Sequence, residues 1–164
     1  LHALGAAVCT VAQGTGETTA RVTHLERAVA TVLESASTAH QESYLHATVR
    51  ARRGIFPELL IACVLTAHAE DGTFLVGDVR QTLQRMIRRE VRGLANQVFA
   101  LTEEGRGSVC VKRGAGATAT FRFVDATFEP YILLRGLEAG WTTGRAPEHL
   151  PGLTAELGDF ERAA

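Results

Sequence analysis

Apolar positions recur at helical spacing along most of this chain and switch to alternation only past its middle. Residues 1–13, LHALGAAVCTVAQ, read as a helix of small side chains, stopped by the glycines of Gly14-Thr15-Gly16. Thr23 then opens T-H-L-E, a capping-box spacing with Glu26 three residues on. Leu25, Val29, Leu33, Ala36 and His40 continue one helical face. That pattern predicts a long helix reaching towards the RARR of residues 50–53, with a break expected near Thr48. Residues 1–53 are thin in large apolar side chains, so this unit is expected to pack on something else.

The second unit opens with IFPELLIACVLTAHA, apolar nearly all round and with Pro57 placed for a first turn, which predicts a buried helix. The AEDG of residues 69–72 is a turn and TFLV a very short strand. Val79, Leu83 and Met86 mark a one-faced helix over residues 78–87. Val91, Leu94, Val98 and Leu101 mark another over residues 91–103. GSVCVKRGAGATATFRFVD, residues 107–125, alternates around a glycine loop and predicts a β-hairpin, with Cys110, Phe121 and Phe123 on its inner side. FEPYILLRGLEAGW closes the unit as a helix, and a Gly-, Pro- and acid-containing tail follows from Gly140. Helix, short strand, helix, helix, strand, wing, strand is the order of a winged helix-turn-helix.

The formal net charge of −1 hides an uneven distribution. Residues 1–49 hold two Lys/Arg against four acids, residues 50–122 twelve against seven, and residues 125–164 three against seven. A basic centre in a near-neutral chain is a local electrostatic footprint for a polyanion. Three cysteines, Cys9, Cys63 and Cys110, lie far apart among apolar residues, which argues for small buried hydrophobes in a reducing, cytoplasmic setting. No run of eighteen apolar residues exists, so no membrane span is expected. The chain opens on Leu1 inside a helical pattern, as a fragment of a longer polypeptide would.

Candidate nucleic-acid contacts follow from the winged-helix order. Its third helix lies in the major groove and its wing along the phosphates or in the minor groove. Burying Val91, Leu94, Val98 and Leu101 leaves Arg92 and Asn96 on the opposite stripe, with Gln97 at its edge. Arginine reads guanine, and Asn or Gln reads adenine, through paired hydrogen bonds. Arg85, Arg88 and Arg89 precede that helix, where phosphates pass, and Lys112 and Arg113 stand at the wing base. Arg122 has the weaker claim, because it faces away from Phe121 and Phe123. No catalytic residue, cofactor-binding residue or metal ligand is expected. The six histidines form no H-E-x-x-H, Ser108 starts a strand instead of a nucleophile elbow, and GAGATAT lacks the G-K-[ST] of a phosphate loop.

The runs YLHATVRARR, LLIACVLTAHAEDGTF with DVR, and RFVDATFEPYILLRGLEAG resemble the C-terminal part of a group of bacterial AAA+ ATPases. In these, as in origin-recognition and initiator proteins, an ATPase core is followed by a helical lid and a winged helix. The resemblance covers roughly residues 1–140 and implies a mainly α chain with a small β-sheet. Residues 1–53 would be the last helices of the lid, 54–139 the winged helix-turn-helix domain with its closing helix, and 140–164 a tail. It implies duplex DNA as a partner, the ATPase core of the same polypeptide as another, and possible homo-oligomers. ATP and Mg would belong to that core: no Walker segment is present and the lid's sensor arginine has no counterpart, the first arginine being Arg21. The family's basic pair in the third helix is replaced by Asn96 and Gln97, which shifts weight to Arg92, Lys112 and Arg113. The alternative is a winged helix that serves as a protein-docking or oligomerisation module.

Overall fold

A computed structural model describes residues 2–48, 55–68, 70–88 and 90–140. Seven α-helices and one small antiparallel sheet make up the described part. In order they are α1 (His2–Gly14), α2 (Val22–Glu34), α3 (Thr38–Thr48), α4 (Phe56–Thr66), β1 (Thr73–Leu75), α5 (Val76–Ile87), α6 (Leu94–Ala100), β2 (Cys110–Arg113), β3 (Thr120–Phe123) and α7 (Phe128–Glu138). The chain is mainly helical, and the three strands lie in the order β1-β3-β2. Among the described residues no helix is long and apolar enough to cross a membrane.

Local chemistry moves several boundaries away from those the periodicity predicts. α2 begins at Val22, so Thr23 and Glu26 lie inside its first turns and form no capping box. Buried His24 caps it instead, its Nδ1 accepting the Arg21 N–H at 3.1 Å. The predicted long helix breaks at residues 35–37, well before Thr48. There the Ser35 hydroxyl donates to the Val32 carbonyl at 3.0 Å, and the Ser37 hydroxyl accepts the His40 N–H at 3.3 Å. Serine side chains that satisfy backbone groups in this way favour caps over helix interiors. The RARR segment lies outside the described residues.

The helix predicted over residues 91–103 shrinks to seven residues. Gly93 adopts φ +67°, a left-handed conformation that cannot continue a helix, and so becomes the residue before α6. Glu104–Arg106 fold into a 3-10 turn beyond it.

One core joins both units of the chain. Val29 and Leu33 of α2 and Ala47 of α3 are buried in the same cluster as Leu59, Leu60 and Ile61 of α4, Val79 and Leu83 of α5, and the sheet. Phe121 sits at its centre, stacked on Phe74 with centroids 6.0 Å apart and met edge-on by Phe99 at 5.3 Å. α7 crosses α4 at Gly136, where a Cβ would stand 3.0 Å from Ile61 Cδ1. Cys63 and Cys110 are buried free thiols; burial pushes Cys110 up to about 12, which keeps it protonated and inert. Cys9, by contrast, is exposed. α1 packs chiefly against α2, with Leu4 half-buried against the core.

Candidate nucleic-acid interface

Helices α5 and α6 and the β2–β3 hairpin bring most of the predicted basic residues into one region, but not onto one face. Arg85 lies on the exposed side of α5, and its guanidinium stays local, 3.2 Å from the Thr82 hydroxyl. Arg88 ends α5 in a left-handed conformation at φ +53°, its N–H donating to the Gln84 carbonyl at 2.9 Å. Arg92 is exposed in the connection before Gly93 and is not part of the helix. Arg89 lies outside the described residues.

On α6, Asn96 is exposed and free to meet a ligand. Gln97 is half-buried, with a buried Oε1 that has no hydrogen-bond partner, so it is poorly placed to read a base. Lys112 reaches the same helix, its Nζ 4.6 Å above the Phe99 ring. That contact holds an exposed cation beside α6 without burying its charge.

Arg113 does not accompany it. Successive strand residues point to opposite faces of a sheet. Lys112 pairs with Phe121 on the helix-covered side, whereas Arg113 pairs with Thr120 on the open side, which it shares with Arg122. The wing base is therefore divided, and the two adjacent cations cannot act as one site. Among the described residues, none of Arg88, Arg92, Lys112, Arg113 and Arg122 forms an ion pair.

Two further polar features escaped the sequence patterns. Arg106 belongs to the basic stretch but is spent internally, its guanidinium 3.9 Å above the Phe56 ring and bonded to the Ala47 carbonyl at 3.2 Å. His40 of α3 clips onto the β3–α7 corner, Nε2 lying 3.1 Å from both Asp125 Oδ2 and Thr127 Oγ1. Hydrogen bonds from the Thr127 hydroxyl and amide, and then from His40, hold the Asp125 carboxyl below its ordinary range. Its contribution is therefore present at neutral pH and fades as pH falls through that lowered value. The clip borders a cavity of about 140 Å³ that Ser43, Ser108 and Val109 also line. His40 and Asp125 are 85 residues apart, so no spacing rule could pair them.

Arg88 offers a direct test of function against strain. Left-handed positions after a helix usually hold glycine, because a Cβ there costs roughly 1–2 kcal/mol. Arg88→Gly should raise stability by about 0.5–1 kcal/mol after the added flexibility of the unfolded chain is discounted. If Arg88 contacts phosphate, the same variant should bind duplex DNA more weakly. Urea melts and fluorescence anisotropy on one preparation measure both, and a stabilised variant of unchanged affinity would remove Arg88 from the interface.

No family model matches this chain, and neither a curated protein nor a solved structure matches it.

Proposed function

We propose that the chain is the lid and winged-helix portion of a bacterial AAA+ ATPase, and that its winged helix binds duplex DNA. The support for the fold is the order α4-β1-α5-α6-β2-β3 with strands arranged β1-β3-β2, in which a hairpin projects beside the last two helices. The support for the ligand is that exposed cations without an ion-pair partner among the described residues flank α6, Arg88 and Arg92 before it and Lys112 over Phe99, and this observation carries the proposal. Arg85, Arg88 and Arg92 grip phosphates, and Asn96 is the one side chain of α6 both exposed and able to read a base edge. A helix of seven residues with Gln97 turned inward reads few bases, so backbone contacts dominate and sequence preference is low.

ATP binding and hydrolysis belong to the core of the parent polypeptide, since these residues contain no phosphate-binding loop. The chain's own part is to hold and position DNA for that core.

Fluorescence anisotropy with a labelled generic duplex tests the proposal. With about four phosphates neutralised, log K should fall against log[salt] with a slope near −4. Absence of binding at low salt would overturn it. A protein-docking role draws support from Val22 and Leu45, which are 66% and 50% exposed on α2 and α3. Light scattering that shows self-association without DNA affinity would favour that second reading.

A further inference from the structure

The open side of the sheet carries a separate basic pair. Thr73, Arg122 and Val111 form one cross-strand row on this side, and Leu75, Thr120 and Arg113 the next. Arg122 and Arg113 are thus diagonal neighbours, roughly 7–8 Å apart at the backbone, close enough for both side chains to reach one ligand. Both are exposed, and among the described residues neither has an ion-pair partner. No acidic side chain lies within these rows; Asp71 stands at their edge, its carboxylate accepting from the Thr73 hydroxyl. The helices α4 and α5 pack on the other side of the sheet, around Phe74 and Phe121, and on this side Val111, Arg113 and Arg122 are exposed while Thr73, Leu75 and Thr120 are half-buried.

We propose that this open sheet face is a second phosphate-binding surface for nucleic acid, with Arg113 and Arg122 as its contacts, on the side turned away from α6. The inference rests on the DNA-binding reading above and extends it to residues outside the α5–α6 corner. Two planar guanidinium forks match phosphate oxygens through paired charged hydrogen bonds. The Thr73 hydroxyl is already engaged, donating to Asp71 Oδ1 at 2.7 Å, so Thr120 is the threonine of these rows that can add a donor. The rows contain no aromatic ring on which a base could stack, and no Asn or Gln to read a base edge. Recognition on this face is therefore of backbone charge and indifferent to sequence.

The test is anisotropy of the full chain on two duplexes of unrelated sequence, over a series of salt concentrations, with the Arg113→Gln/Arg122→Gln double variant beside the unaltered protein. Both residues are exposed, so circular dichroism and the thermal midpoint should stay unchanged and separate folding from binding. Losing two phosphate contacts should make the salt slope shallower by about 2 and weaken both duplexes by a similar factor, about tenfold or more at low salt. An unchanged slope in the double variant, with the unaltered protein still binding, overturns the inference and leaves the corner interface standing. Loss confined to one duplex overturns its sequence-independent character. Equal competition by polyglutamate would make the face a site for acidic polypeptide and overturn the assignment to nucleic acid. No binding by the unaltered protein would instead strike the DNA-binding reading itself.

Discussion

Phe121→Ala should cost about 3–5 kcal/mol, the range for removing a large aromatic side chain from a packed core. Phe121 is 1% exposed and joins three parts of the fold at once. It sits on the central strand β3, stacks on Phe74 of β1 and receives the edge of Phe99 from α6. Neighbouring strands cannot collapse into the vacated space without breaking the register that pairs Phe121 with Phe74 and Lys112. Set against a typical total stability of about 5–15 kcal/mol, such a loss leaves a large share of the chain unfolded at physiological temperature. Phe121→Leu keeps most of the volume and should cost about 1–1.5 kcal/mol. Urea midpoints with unchanged slopes measure the difference. Because Phe121 supports Phe99, and Phe99 seats Lys112, the alanine variant should also weaken the proposed DNA binding where the leucine variant largely retains it. A loss below about 1.5 kcal/mol for alanine would mean that the ring is not central to the core.

The fold was legible in the sequence wherever one side chain type dominates its neighbourhood. α4 announces itself through an unbroken apolar run with Pro57 in its first turn, and the hairpin through alternation around glycines. Boundaries failed where a single residue's backbone or hydroxyl outweighed the periodicity. Gly93 shortened α6 although Val91, Leu94, Val98 and Leu101 are all buried as the helical pattern requires. Ser35 and Ser37 broke the long helix by satisfying backbone groups locally.

The candidate site shows the same division. The basic stretch is visible as composition, but composition cannot say which charges are free. Arg106 is turned inward onto an aromatic ring, while Arg122, which the alternation had demoted, lies exposed beside Arg113. Strict period two along the strand already separates Lys112 from Arg113, and that signal was available without a structure. What no local pattern carries is tertiary: the contact of Lys112 with Phe99, and the clip between His40 and Asp125.

Arg106→Ala should destabilise the chain by about 2–4 kcal/mol, an unusual loss for an arginine in a 3-10 turn. Its guanidinium does two jobs that one substitution removes together. Over Phe56 it makes a partly desolvated cation–π contact, worth about 0.5–2 kcal/mol. Through Nη1 it donates to the carbonyl of Ala47, in the last turn of α3, where the dipole favours a cation. Ala47 is fully buried, and among the described residues Arg106 is the side chain that donates to its carbonyl, so removing it costs about 1–3 kcal/mol. Lysine cannot replace it, because a point charge does not lie flat on the ring and reach the carbonyl at the same time. Arg106→Lys should therefore recover less than half of the loss. Hydrogen exchange gives the discriminating readout: amides of α3 should open well before those of α4 and α5 in the alanine variant. A uniform loss of protection would mean that Arg106 stabilises the core in general. A selective loss in α3 would make Arg106, with the His40 clip, a local anchor of α3, beside the shared core that joins α2 and α3 to the rest of the fold.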